Sequence, residues 1–302
     1  MERRSSIPLL SAAFTIVMWA SAFVGIRIAL HAFTPAQLTV TRLVVAAVLF
    51  LALLPFIKVR KPDRRDLPRL ISCAALGMTG YQFLLNAGER SINAGTASLL
   101  VNTAPVFAAI LAWVMLRERP TRQVLVGISI AFAGAVLIAL DTGGGFRPSI
   151  GVFQVFGAAF AQAAFFVLQK PLLTKYRPLE VTAYVTWMGA CLALPLAGTS
   201  FTSITRASSH ELMAVLYLGV GPSALGFTAW AIALAAMPVA RLTALLYLVP
   251  AVAILIGWVT LGERVGPLTL TGGAIAIAGV AVSRSRRRFA RTRAPGGTRP
   301  RN

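Results

Sequence analysis

The chain has 302 residues, of which 57% are hydrophobic and 13% charged, and a formal net charge of +20. A water-soluble fold of this size needs nearer a quarter of charged residues to cover its surface, so this composition excludes an ordinary globular enzyme or binding domain. Nor does the charge point to nucleic acid, because the basic residues sit in short segments between apolar blocks and in a C-terminal tail, where membrane topology accounts for them.

The apolar blocks are roughly 17–24 residues long, enough to cross about 30 Å of hydrocarbon as helices. In chain order they predict spans at about 7–30, 35–55, 68–88, 94–116, 121–140, 149–170, 179–198, 211–235, 240–261 and 265–283. The expected fold class is therefore all-α, a polytopic membrane protein of about ten transmembrane helices. The first block is too long for a signal peptide and many more spans follow it, so it reads as a retained span. Pro8, Pro35, Pro68 and Pro267 lie at or near span starts, where a missing N–H costs nothing. Gly143, Gly144 and Gly145 mark a break between spans five and six. Cys73 and Cys191 both fall inside apolar segments and form no disulfide or metal framework.

Lys and Arg set the orientation. With the N-terminus in the cytoplasm, 23 basic residues fall on the inside and four, Arg90, Arg147, Arg206 and Arg264, on the outside. That bias places both termini in the cytoplasm of a bacterial inner membrane. Eight arginines follow Val282, in a tail over 284–302 whose Pro, Gly and Thr content predicts disorder and whose charge suits anionic lipid headgroups.

The chain repeats itself. Residues 96–138 and 241–283 align without a gap at an offset of 145, pairing Pro105 with Pro250, Trp113 with Trp258, Glu118 with Glu263 and Gly127 with Gly272. A weaker match at an offset of 143 pairs Phe23 with Phe166, Arg27 with Lys170 and Pro35 with Pro178. The expected units are thus 1–142 and 149–283, each of five spans. Five is odd, so the second unit enters the membrane from the opposite side and the two are inverted copies. Inverted repeats around a midplane site are the usual build of secondary transporters.

These residues resemble the drug/metabolite transporter superfamily, in particular its EamA-type ten-span members. The likeness rests on WASAFVGIRIAL in the first span, TRLVVAA around Arg42, and two copies of Pro, Trp, Leu-x-Glu-Arg and a Gly-rich span: LRER at 116–119 and LGER at 261–264. The resemblance covers about residues 7–283. It implies a carrier of small organic solutes such as amino acids, other metabolites or drugs, with a central cavity bounded by spans 1, 3, 4, 6, 8 and 9. The expected function is a secondary transporter working outward by alternating access. A lipid or lipid-precursor flippase, and a non-transporting sensor or assembly component, are the alternatives.

Several side chains are candidates for the cavity, because polar groups at depth are costly against lipid. They are Trp19 and Ser21 in span one, Tyr81, Gln82 and Asn86 in span three, Ser98, Asn102 and Thr103 in span four, Gln162 and Gln169 in span six, Trp230 in span eight and Tyr247 in span nine. The same groups would equally serve as interhelical hydrogen bonds. Pro105 and Pro250, expected near mid-span, read either as hinges or as static kinks. Arg42 binds an anionic group of the substrate or holds backbone carbonyls; the second unit has Val185 in its place. Arg27 and Lys170 snorkel to the interface or act deeper. Glu118 and Glu263 close spans four and nine as structural anchors of a turn or as gate latches. The stripes Gly127, Ala131, Gly134 and Gly272, Ala276, Gly279 serve close packing or a homodimer. No Asp lies in a span centre, His31 and His210 sit in loops, and only Glu89 is a candidate proton carrier. With no phosphate loop, catalytic triad or metal-ligand spacing, neither enzymatic activity nor a cofactor is expected.

Overall fold

A computed structural model describes residues 3–56, 59–91, 97, 100–141, 150–198, 200–252, 256 and 267–284. Ser98, Glu263, the whole Gly143–Gly145 break and the tail beyond residue 284 lie outside these. Among the described residues there are helices and no strands. We number the principal helices α1 (Arg3–Ala29), α2 (Pro35–Leu53), α3 (Arg64–Gly88), α4 (Ala104–Leu116), α5 (Arg122–Asp141), α6 (Ile150–Leu172), α7 (Pro178–Leu196), α8 (Ser209–Ala236), α9 (Val239–Val252) and α10 (Pro267–Arg284). Six of them, α1, α2, α3, α6, α7 and α8, are long and apolar enough to cross a membrane. The shorter apolar helices occupy the places of expected spans four, five, nine and ten. The protein is thus an all-α, multi-pass membrane protein.

The helix starts follow local chemistry. Thr34 caps α2: its hydroxyl accepts from the Gln37 N–H, and the Gln37 amide oxygen accepts from the Thr34 N–H, with Pro35 in the first turn. Ser208 and Glu211 form the same box at α8. At α7 the Glu180 carboxylate accepts from the Arg177 N–H and pairs with Arg60 of the α2–α3 loop at 3.2 Å. Pro8 departs from expectation, since α1 begins at Arg3 and carries this proline inside the helix.

Two helices contain wide turns at matching places. Ala74–Gly80 in α3 and Gly219–Gly226 in α8 are π-helical, and their first residues lie 145 apart. A π turn bonds each carbonyl to an N–H five residues on, so it widens the helix and re-aims nearby side chains. Pro222, which has no N–H, sits in the α8 turn. Gly77, its counterpart, lets α3 close on α6: a Cβ there would lie 2.3 Å from the Phe165 ring.

The helices holding Pro105 and Pro250 are interrupted rather than bent at proline. Asn102 and Thr103 form a turn, after which α4 starts with Pro105 in its first turn. In α9 the segment Ala244–Tyr247, which ends on the Asn102 counterpart Tyr247, tightens into a 3₁₀ turn just ahead of Pro250. Each proline begins a fresh helical segment, where its missing N–H is harmless.

α5 and α10 run antiparallel in backbone contact. A Cβ on Gly279 would fall 2.4 Å from the Ala131 nitrogen, and one on Gly134 would fall 2.5 Å from the Ala276 nitrogen. The two small-residue stripes therefore pack on each other within one chain, which removes them as a free surface for dimerisation. In a bilayer such close approach replaces the missing hydrophobic drive between helices.

Candidate functional site

A cavity opens between the helices. It is lined by Trp19, Ala22, Phe23 and Ile26 of α1, Arg42 of α2, Tyr81 and Leu85 of α3, Val101 and Asn102 ahead of α4, Gln162 of α6, Pro222 and Phe227 of α8, and Leu246 and Val249 of α9. It measures about 40 Å³ as the space open to the centre of a water molecule, and about 600 Å³ of atom-free space with its mouth included. Six of the seven contributing helices match the implied set; the seventh is α2, which brings Arg42.

Arg42 is only 4% exposed. Its Nε donates to the Ser223 hydroxyl in the α8 π turn at 3.1 Å. Among the described residues no carboxylate comes within ion-pairing distance of it, and its Nη groups have no hydrogen-bond partner. Neighbouring bonds fix the same π turn. Trp19 Nε1 donates to the Pro222 carbonyl at 3.3 Å, and the Thr15 hydroxyl to the Gly226 carbonyl at 3.1 Å. The result is a planar cation held at one nitrogen on an apolar wall.

Toward the end of α1 that carries the N-terminus, aromatic rings close the cavity. Trp19 stacks on Phe166 at 6.0 Å with an interplanar angle of 4°, Phe166 meets Trp230 at 4.3 Å, and Trp19 meets Phe227 at 5.1 Å. Beyond the rings lie polar ties. The Glu118 carboxylate accepts from the Val239 N–H at 2.8 Å, joining the end of α4 to the start of α9. Lys170 donates to the carbonyls of Leu234 and Met237 (2.7 Å to the latter), capping the end of α8. Lys170 is therefore tied to backbone rather than snorkelling freely, and Glu118 binds the repeat partner of its own helix rather than the turn that follows it.

Of the side chains singled out from sequence, Trp19, Tyr81, Asn102 and Gln162 line the cavity, and Tyr81 interacts with Gln162 there. The others lie elsewhere. Ser21 bonds Tyr217 on the α1–α8 seam, and Asn86 donates to Thr39 of α2 at 2.9 Å. Thr103 bonds back to the Leu100 carbonyl at 2.6 Å. Gln82 is buried with its amide nitrogen near Met78 sulfur. Gln169, Trp230 and Tyr247 are buried outside the lining, and the carboxylate oxygens of Glu89 have no hydrogen-bond partner. Sequence reasoning missed Pro222, Phe227 and Leu246, which carry no polar signal.

The arrangement is a buried cation in an aromatic cavity between interrupted helices. Residues 6–140 and 149–285 each match the sequence model of the EamA-like transporter family. The chain belongs to that family. Among its relatives, "Probable terminal-alkyne amino-acid exporter" of Streptantibioticus cattleyicolor is 44% identical over 266 residues, covering 88% of this chain and 89% of that protein. "Uncharacterized transporter YdfC" of Bacillus subtilis is 31% identical, covering 93% and 92%. "Probable amino-acid metabolite efflux pump" of Salmonella typhimurium is 27% identical, covering 90% and 93%. A solved crystal structure superposes with a TM-score of 0.76 at 22% identity, covering 93% of this chain and 96% of that one, a likeness of fold.

Proposed function

We propose that this EamA-like protein exports amino acids or closely related small carboxylates by alternating access between two inverted five-helix units. The observation that carries the reading is Arg42. Arg42 is buried on a neutral hydroxyl with no carboxylate within ion-pairing distance among the described residues, so the site favours an anion. Its two Nη groups present the flat fork that pairs with a carboxylate in two parallel bonds. Trp19, Phe23 and Phe227 around it suit an apolar or aromatic side chain. The names of the relatives, two of them amino-acid exporters or efflux pumps, agree with a carboxylate-bearing solute.

The units are residues 1–142 and 149–283, and both termini face the cytoplasm of a bacterial inner membrane. In that orientation the aromatic rings and the Glu118 tie close the cytoplasmic end, and the cavity lies on the outer half of the path. The arginines beyond Val282 bind anionic lipid headgroups. Counterflow in proteoliposomes tests the reading. Preloaded apolar or aromatic amino acids are expected to drive uptake of their labelled forms, while the matching decarboxylated amines are not. Equal exchange of acids and amines removes the carboxylate reading, and no exchange of any small solute removes the carrier reading.

A further inference from the structure

If the two units exchange conformations during transport, each lining residue hands its role to its repeat partner, 143 residues away for α1 and α6 and 145 for α3, α4, α8 and α9. Applied to the fourteen lining residues, the exchange yields a mirrored set. Trp19 and Gln162 are each other's partners and belong to both sets, as do Val101 and Leu246. Ile26 hands over to Gln169, Leu85 to Trp230, Asn102 to Tyr247 and Phe227 to Gln82.

All four carry polar atoms that are buried here without a hydrogen bond: both amide atoms of Gln169, the Trp230 Nε1, the Tyr247 hydroxyl and the Gln82 amide oxygen. Every polar member of the mirrored set that does not already line the present cavity is thus orphaned in the present state. Three further residues carry such atoms, Asn86, Glu89 and Thr186, and they fall outside the set. Buried polar groups without partners are rare because each gives up its water for nothing. Their concentration at the mirrored positions has a physical explanation if water and solute reach them in another state.

We infer that Gln82, Gln169, Trp230 and Tyr247 form a second solute-binding face, which opens on the N-terminal side when the Glu118–Val239 tie parts. It presents amide, indole and phenol groups in place of a guanidinium, since the counterpart of Arg42 is Val185. Its ligand is the solute of the outer cavity, held there by neutral hydrogen bonds. The inference rests on the carrier reading above.

The test is thiol accessibility in the full chain with Cys73 and Cys191 replaced by Ser, using a membrane-impermeant maleimide on right-side-out and inside-out vesicles. The repeat partners give a matched pair. Asn102→Cys is expected to react from the face opposite the N-terminus, and Tyr247→Cys and Gln169→Cys from the N-terminal face. Unreactive Tyr247→Cys and Gln169→Cys beside a reactive Asn102→Cys overturn the inference and leave the carrier standing. Silence at all three positions overturns both. A second variant guards against misfolding. Tyr247→Phe removes only the orphaned hydroxyl, so its melting temperature is expected to hold or rise, while Asn102→Cys in that background reacts several-fold faster. A lowered melting temperature with unchanged labelling means the hydroxyl is partnered in this state and contradicts the inference.

Discussion

The two ends of the helix seam around the cavity are built differently. At the end facing away from the N-terminus, Arg42, Tyr81, Asn102 and Gln162 look into a cavity. At the N-terminal end the corresponding depth is filled by Trp19, Phe166 and Trp230 and tied by Glu118 to Val239 and by Lys170 to the end of α8. The open end keeps an unpaired cation, and the closed end pairs its ions with backbone. Closure here therefore rests on a few bonds to helix ends over a ring stack, a construction that can part without unfolding a helix. The α5–α10 pair stands apart from both ends as a scaffold, its backbones already touching.

The comparison can be broken or sharpened by substitution. Gly279→Val has the largest expected effect, because its Cβ meets the Ala131 backbone nitrogen at 2.4 Å and neither helix backbone can yield. It should cost about 3 kcal/mol or more and show as loss of folded protein in size-exclusion profiles, with both ends of the seam affected alike. Arg42→Gln strikes the open end alone. Charge-assisted bonds to a carboxylate contribute roughly 1.5–3 kcal/mol, so exchange should fall about 10- to 100-fold while yield and melting temperature hold. Arg42→Lys should recover part of that loss, since a point charge replaces the fork.

Glu118→Ala strikes the closed end. Loss of a side-chain cap costs about 1 kcal/mol, which should raise thiol labelling at position 247 from the N-terminal face about fivefold. The smallest effect is expected at the surface. Lys175 binds Asp63 and Asp66, and those hydrogen bonds hold its ammonium above the ordinary lysine range. A group with a raised value contributes below its unfolded value and loses the contribution only as pH climbs through the folded one. Stability from this cluster of three should therefore be flat from pH 6 to 9 and fall only in strong alkali, as thermal melts from pH 6 upward can check.

Much of this was legible in the chain. The long apolar blocks gave six of the helices outright, because length against bilayer thickness is a strong constraint. The repeat placed the interrupted segments at matching positions, though it pointed to Pro105 and Pro250 rather than to the turns one step earlier. Arg42 stood out because a charge in an apolar run needs a reason. Its bond to Ser223, 181 residues away, had no local trace. Trp19, Tyr81, Asn102 and Gln162 were found as polar groups at depth, whereas Ser21 and Asn86 were drawn in by the same rule and serve other seams. A helix apolar all round does not reveal which face meets a cavity. For the same reason Phe227 and Leu246 could not be told from lipid-facing residues. The π turns were illegible too, since Gly77 and Pro222 read as ordinary breakers until the backbone was seen.

If one path opens at alternate ends, the Glu118–Val239 tie is where to hold it shut. Cysteines at both positions, joined by a short bifunctional thiosulfonate in reconstituted vesicles, should stop solute exchange, and reduction should restore it. Exchange that continues at an undiminished rate with the two helix ends cross-linked would contradict the account.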